Sequence, residues 1–560
     1  MDMKQIGIGV VALVVVGGLA VGGYMATQKP DTPTEPDPTA EAVAKTKAKG
    51  GPGALKSLAT GSDKPNVLIV LWDTTRADHL SVYGYEKDTT PFMAEWAEDG
   101  MVFERAVSPA MWTVPSHASM FTGLPPVTHG TGIEWRWLDN HHVTMADWFG
   151  ENGYDTYAFS ANPNLAPNRM NLVQGFDLTE TSWSKEWVRQ VRKNTRRKLI
   201  KRDKSTEISP SFEGTGAKSM DFNAGPVAAK AFIKWVQGRE DSSKPWLAYI
   251  NYMEAHKPRV PAIKSRRKIS TEEEIGLGLD TDLTFKSQLL YTYGQMEMTP
   301  EEINATVGVY DATLVDLDNA TNLLITEMKK RGMLENTIVV FTADHGEQLG
   351  EHHIYGHRNK VYQQLLHVPL VIWAPGMVEA GRVDTPVSNL DLFYTLTELA
   401  KLEAPESGLS KHNLLKIKEY VPAVFAQIIS QDHSGYQRVK QWSENDFDIE
   451  PWTRTHQAIV SGAWKLIRDS VGEEQLFNVV EDPQEENEVA AANPEKAAEL
   501  RQMLKDWADA QVKYDPAKRD DQDGETEDSD EMKAQLEMLG YIEEEDEGEE
   551  EEPPPPMGSL

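Results

Sequence analysis

A nearly unbroken apolar run, Asn66-Val67-Leu68-Ile69-Val70-Leu71-Trp72, ends abruptly in Asp73. A strand buried on both faces of a parallel sheet has no solvent side to alternate with, so this run predicts a central parallel strand. Thr337-Ile338-Val339-Val340-Phe341 repeats the pattern and leads into Thr342-Ala343-Asp344-His345-Gly346. Trp246-Leu247-Ala248-Tyr249-Ile250 is a third such run, followed after a few residues by His256. Between the strands lie amphipathic stretches such as Pro300 to Arg331, where Val307, Leu314, Leu317, Leu323, Leu324 and Met328 recur at roughly helical spacing before Gly332. Alternating buried strands and helices predict an α/β sandwich. From about 405 the pattern shifts to short strands, 457–460, 464–467 and 475–479, and then a helix from about Pro494 to Gln511.

The flanks read differently. Ile6 to Ala26 is an uncharged stretch of 21 residues preceded by Lys4, long enough to cross a bilayer as a helix. It reads as an uncleaved anchor over 1–28 with a cytoplasmic N-terminus, a cleaved signal peptide being the competing reading. The catalytic part is then periplasmic or extracellular, or secreted if the segment is removed. Residues 29–64 are rich in Pro, Thr, Ala, Lys and Gly and read as a flexible tether. The body divides into 65–404 and a C-terminal subdomain over 405–513, followed by an acidic tail over 514–560. At 560 residues and 40% apolar content the chain can bury a large core. Of its net charge of −32, half comes from Asp515 onward, where 19 acidic residues face 3 basic ones. Such a block stays solvated, and the acidic balance excludes nucleic acid as a natural partner. The chain has no cysteine, which excludes disulfides and thiolate metal sites. One basic stretch, Lys185 to Lys204, stands out as a solvated helix face or a contact for anionic lipid or glycan.

Asp73, the Asp344-His345 pair and Thr113 together supply what an attack on a phosphate or sulfate ester needs, a metal-ligating set and a nucleophilic oxygen. Thr113 lies in WTVPSHASMFTG (112–123), which resembles the nucleophile motif of the sulfatase family, where Cys or Ser is followed by x-Pro-x-Arg and a small-residue run ending in Thr-Gly. WDTTRADHLSVYGY (72–85) is similar to a metal-binding segment of that family, and TADHGEQLGEHHIYGHRN (342–359) closely resembles its metal loop. The resemblance implies an alkaline-phosphatase-like sandwich: a large mixed, mostly parallel sheet between helices, plus a small C-terminal α+β subdomain. It also implies Asp73, Asp344, His345 and Thr113 around one divalent ion. His357 takes the place of a substrate-binding Lys or His. His256, in NYMEAHKPRVP, matches a His-x-Pro element that stabilises the reacting group or protonates the leaving group. His117 replaces the Arg that braces the nucleophile.

Three departures matter. Family enzymes oxidise their Cys or Ser to formylglycine, whereas Thr113 is a secondary alcohol, so the aldehyde route is closed and a simple Thr alkoxide is the nucleophile, as in Thr-dependent phosphoethanolamine and glycerol-phosphate transferases of the wider superfamily. Thr74 stands where a second Asp is usual. That leaves one imidazole among few carboxylates, which favours zinc or manganese, with the calcium of ordinary sulfatases as the alternative. The Gly-Lys-x-His substrate motif is missing, and Asn162 in GYDTYAFSANPN is the substrate-contact candidate. Asp78, His79, His129, His352 and His353 read as structural.

The expected function is a metal-dependent hydrolase of phosphate, phosphonate or sulfate esters acting through a covalent Thr113 intermediate. Its substrate would be an anionic ester, with a glycan or a lipid headgroup as candidate carriers. The alternatives are a transferase passing a phosphoryl-linked headgroup to an alcohol and a catalytically silent protein that binds sulfated or phosphorylated polymers.

Overall fold

The computed structural model describes residues 62–519 apart from 168, 199, 203–204, 208–222, 420–422, 432 and 444. The N-terminal span, nearly all of the tether and most of the acidic tail lie outside the described residues. Among the described residues no helix is long and apolar enough to cross a membrane.

Eight strands build the main sheet: β1 (Asn66–Trp72), β2 (Met101–Phe103), β3 (Asp155–Ser160), β4 (Leu178–Thr181), β5 (Trp246–Tyr252), β6 (Thr337–Thr342), β7 (Leu370–Trp373) and β8 (Gly381–Val383). Their order is β8-β2-β7-β6-β1-β5-β3-β4. β7 runs antiparallel to both its neighbours, and every other pairing is parallel. The apolar runs predict its parallel central strands, and the mixed, mostly parallel sheet is the one the resemblance implies, with β1 at its centre.

The two-residue period of a strand sends alternate side chains to opposite faces. On β1, Val67, Ile69 and Leu71 enter one core with α1 (Thr113–Thr122). Leu68, Val70 and Trp72 enter the other. There they meet α3 (Pro226–Gly238) and α5 (Pro300–Lys330), while α2 (Val188–Lys198) docks beside them through Val191. Arg189, Lys193, Arg196 and Arg197 of α2 are exposed, whereas Lys198 is half-buried and pairs with Asp316 of α5 at 2.8 Å. Helix α5 opens with Thr299 capping the Glu302 amide and Glu302 capping back, a reciprocal arrangement that satisfies two amides left over at any helix start.

The C-terminal region forms a second, four-stranded antiparallel sheet of β9 (Ala423–Ile428), β10 (His456–Ser461), β11 (Trp464–Asp469) and β12 (Glu474–Asn478). Ile459, Leu466 and Leu476 pack on Ala497, Leu500 and Leu504 of the last helix, Pro494–Ala510. The sequence pattern contains β10 to β12 and that helix; β9 is an additional strand. The short strand β7, which alone reverses direction, has no counterpart in the sequence reading either.

Candidate active site

Register brings the chemistry together. Leu71 of β1 is level with Thr342 of β6 and with Asn251 of β5, and Asn251 is level with Ser160 of β3. The residues just beyond these strand ends therefore meet at one carboxyl edge of the sheet, where open α/β sheets hold ligands. Asp73 follows β1, Asp344 and His345 follow β6, and Asn162 follows β3. α1 begins at Thr113, so the positive end of its backbone dipole lies at the proposed nucleophile. Ser116 of α1 donates to the Asp344 carbonyl at 2.5 Å, which fixes the helix start against the β6 loop.

Thr113 Oγ1 is 3.4 Å from His345 Nε2 and accepts from Asn162 Nδ2 at 3.4 Å. His345 Nδ1 donates to the Gly346 carbonyl at 2.8 Å, which keeps the proton on Nδ1 and leaves the Nε2 lone pair inward. Asp73 Oδ2 accepts from Asn162 at 2.7 Å and Asn251 at 3.2 Å. Asp344 Oδ1 accepts from the Thr74 and His345 amides at 3.2 and 3.0 Å. The other oxygens, Asp73 Oδ1 and Asp344 Oδ2, are buried without a hydrogen-bond partner among the described residues. One ligand atom from each of Asp73, Asp344 and His345 lies within 4.8 Å of the others. Buried carboxylate oxygens left open beside an inward imidazole nitrogen fit a divalent cation. Thr74, with φ at +55°, adds a buried hydroxyl that also has no partner among the described residues.

The electrostatics carry the same message. Burial, then repulsion from Asp344, pushes the Asp73 carboxyl up to about 8. Burial opposes ionisation of Asp344 as well, but the facing His345 and His117 hold it well below the usual carboxylate range. Burial pulls His345 down, yet Asp344 beside it outweighs this and lifts the imidazole to about 9.

Around the centre, His357 Nδ1 donates to Glu347 Oε1 at 2.8 Å, and Arg259 holds the other Glu347 oxygen at 2.6 Å. The His357 ring lies 4.6 Å from His345 and 5.1 Å from His256, centroid to centroid. Burial, offset in part by Glu347, lowers His357 to about 4, and burial lowers His256 as well, so both rings are neutral at neutral pH. His256 Nδ1 donates to the Lys257 carbonyl at 2.6 Å. His117 sits behind Thr113: Nδ1 donates to the Thr113 carbonyl at 2.8 Å and Nε2 meets the Tyr249 hydroxyl at 2.7 Å. Both its nitrogens are engaged, and its Nδ1 is 3.6 Å from Asp344 Oδ2, so it braces the site from beneath.

All the sequence-nominated site residues thus converge. Glu347, Arg259, Asn251 and Tyr249 join them without having been nominated. Glu347 carries a signal, lying three residues after Asp344 within the metal-loop stretch; the others are visible only through pairing register and side-chain reach. The residues read as structural are so engaged. Asp78 pairs with Arg76 at 2.7 Å and His79 with Asp311 at 2.7 Å. His129 contacts Ser119 at 3.0 Å, and the His352 and His353 rings stack on Tyr362 and Tyr291.

With this geometry in place, known proteins add context. The family model described as Sulfatase matches residues 65–402, and one described as N-sulphoglucosamine sulphohydrolase, C-terminal, matches 350–513. Arylsulfatase K of Bos taurus is 24% identical over 468 residues, covering 79% of this chain and 81% of the relative. The phosphonate monoester hydrolase of Agrobacterium radiobacter shares the fold, with a TM-score of 0.61 at 20% identity, over 80% of this chain and 95% of that one. A protein solved with its substrate D-glucosamine-2-N,6-O-disulfate superposes with a TM-score of 0.57 at 18% identity, over 80% of this chain and 98% of its own.

Proposed function

The chain belongs to the sulfatase family of ester hydrolases, and from that premise we propose that it is a divalent-metal-dependent enzyme that cleaves phosphate or phosphonate esters with Thr113 as covalent nucleophile. The observation that carries this reading is the Thr113 hydroxyl against His345 Nε2, beside the open oxygens of Asp73 and Asp344. Asp73, Asp344 and His345 would hold the ion, and one imidazole with two carboxylates favours zinc or manganese over calcium. When bound, the ion supplies positive charge that lowers the Thr113 hydroxyl pKa and screens the anionic ester.

The chain's own groups do the rest. Thr113 Oγ1 forms a bond to phosphorus as the bond to the leaving oxygen breaks. His357, neutral and oriented by Glu347 through Nδ1, accepts the Thr113 proton on Nε2, while the leaving oxygen, on the opposite side of phosphorus, takes a proton from solvent. Asn162 donates its two amide hydrogens to Asp73 and Thr113, and so holds the nucleophilic oxygen beside the carboxylate. Water then attacks phosphorus, frees Thr113 and releases the product acid. Sulfate esters are the competing substrate class, and the missing formylglycine precursor together with the likeness to a phosphonate monoester hydrolase supports phosphorus. We further propose that the 6–26 span anchors the protein with this domain outside the cytoplasm.

The test assays purified protein with nitrophenyl esters of phosphate, phosphonate and sulfate, before and after chelation and with zinc or manganese restored. Turnover of the phosphorus esters that chelation abolishes and Thr113→Ala cuts at least about 10³-fold is expected. Sulfate turnover that survives Thr113→Ala would remove the assigned nucleophile. Alkaline carbonate extraction of membranes from cells expressing the full chain checks the anchor, since a cleaved or peripheral protein is released.

A further inference from the structure

Helix α2 carries six Lys or Arg and no acidic residue in its eleven positions, in a chain where 88 acidic residues outnumber 56 basic ones. Val191 and Thr195 are buried against the body, and at 3.6 residues per turn Arg189, Lys193, Arg196 and Arg197 fall on the opposite side, where all four are exposed. No ion pair joins any of these four to an acid among the described residues. Cations on other surface helices do have acidic mates: Lys268 pairs with Asp88 at 2.8 Å, Lys330 with Glu327 at 2.8 Å and Arg501 with Glu474 at 2.6 Å. Arg189 and Lys193, like Lys193 and Arg197, stand four positions apart, a spacing at which like charges weaken a helix, so an anion against this face stabilises it. Lys230 of α3 extends the patch; exposed, it donates to Gln190 of α2 at 2.9 Å, a neutral partner that leaves its charge intact.

The kind of partner follows from the shape of the charge. The four side chains spread over about 12 Å of helix, and α2 offers no aromatic residue beside them, which suits an extended anionic plane rather than one small shaped ligand. The chain brings such a plane close. With the uncharged span 6–26 in a bilayer, only the 39 residues from 27 to 65 lie between it and β1, and a Pro- and Gly-rich linker of that length spans on the order of 35 Å. A contact held at that range forms at high effective concentration. The chain as a whole carries a net charge of −32, which anionic lipid repels, so the basic face selects the side of the body that meets the surface.

We propose that Arg189, Lys193, Arg196 and Arg197 on α2 dock against anionic lipid headgroups of the membrane to which the chain is tethered, and so set the orientation of the body on that surface. The proximity rests on the anchor reading; the affinity of the face for anionic lipid does not.

Because the chain has no cysteine, Asn194→Cys on α2 gives the full chain a single site for a fluorescent donor. The labelled chain is combined with phosphatidylcholine vesicles that carry a headgroup energy acceptor, with and without phosphatidylglycerol. Transfer is expected to rise with phosphatidylglycerol and to fall as salt screens the charges. Arg189→Gln combined with Arg196→Gln should lower the ratio of docked to free body about 25-fold, about fivefold for each cation lost at an anionic surface. Arg189→Lys combined with Arg196→Lys keeps most of the transfer, which a purely structural need for arginine would not allow. Arg501→Gln, on the last helix, leaves it unchanged. Transfer indifferent to phosphatidylglycerol would overturn the docking face, as would an equal loss in Arg501→Gln, with folding verified by circular dichroism. So would phosphatidylglycerol-dependent transfer that appears only in a chain ending at Arg519, because the face would then belong to the acidic tail. Arg189-dependent binding of heparin with no response to phosphatidylglycerol would overturn it too, in favour of an acidic glycan. Flotation isolates the anchor: a chain that fails to float with pure phosphatidylcholine vesicles but floats with phosphatidylglycerol removes the anchor reading and supports the docking face.

Discussion

At the scale of single residues, the site depends on small differences in side-chain chemistry. On the proposed reading Thr113 offers a single hydroxyl for attack, which is why phosphorus is the expected centre. Glu347 holds the His357 proton on Nδ1, so Glu347→Gln is expected to lower kcat about 10- to 100-fold. Because Glu347 raises the His357 pKa against burial, the same change should move the acid limb of the kcat profile to lower pH, a shift that a purely structural role would not produce. His129 serves a different purpose: buried, it accepts the Thr131 amide at 3.0 Å, and burial lowers it from 6.5 to about 3. Its folded pKa lies below the unfolded one, so the unfolded chain binds the extra proton between those values. Stability should therefore fall as pH drops from 6.5 towards 3, by about 1.4 kcal/mol per unit at most from this group. Urea titrations of the protein and of His129→Gln across that range should show a flatter acid limb in the variant.

At the scale of elements, a strand end and the turn after it decide where ligands stand. β1, β5 and β6 were legible as strands because each is buried on both faces and needs apolar residues throughout. Their carboxyl ends were legible too, since Asp73 and Asp344 interrupt the runs. β7 and β9 were not, because a short strand's direction and partner follow from pairing rather than from its own residues. The β6 turn is closely packed: a Cβ at Gly346 would lie 2.0 Å from the Gln364 carbonyl. Gly346→Ala must displace the Asp344-His345 loop, and metal affinity should fall about 10- to 100-fold while the helical circular dichroism signal is unchanged. Metal titration with a chromophoric chelator measures the loss. At the start of α5, Thr299→Ala removes a cap and should cost about 1 kcal/mol in chemical denaturation.

At the scale of the whole molecule, a fully buried ion pair inside the C-terminal region is tied to the main body by one hydrogen bond. Lys465 of β11 lies 2.8 Å from Glu485, whose other oxygen accepts the Gln363 amide at 2.6 Å, just beyond the 342–359 loop. Lys465→Met strands a buried carboxylate and should destabilise the protein by about 3–5 kcal/mol, with Lys465→Met combined with Glu485→Gln recovering much of it. Denaturant titration of the three proteins tests this, and an additive double variant would refute the coupling. The sequence by itself determined the α/β class, the central strands and the polar residues that follow their carboxyl ends, because burial on both faces and residues tied to a strand end are written locally. Only the tertiary structure decided that Asn251 and Asn162 meet Asp73, that Glu347 orients His357, and that His117 bonds the Thr113 carbonyl. Asn162 and Asn251 lie tens to hundreds of positions from Asp73, and sheet register and helix packing bring them there rather than any local pattern.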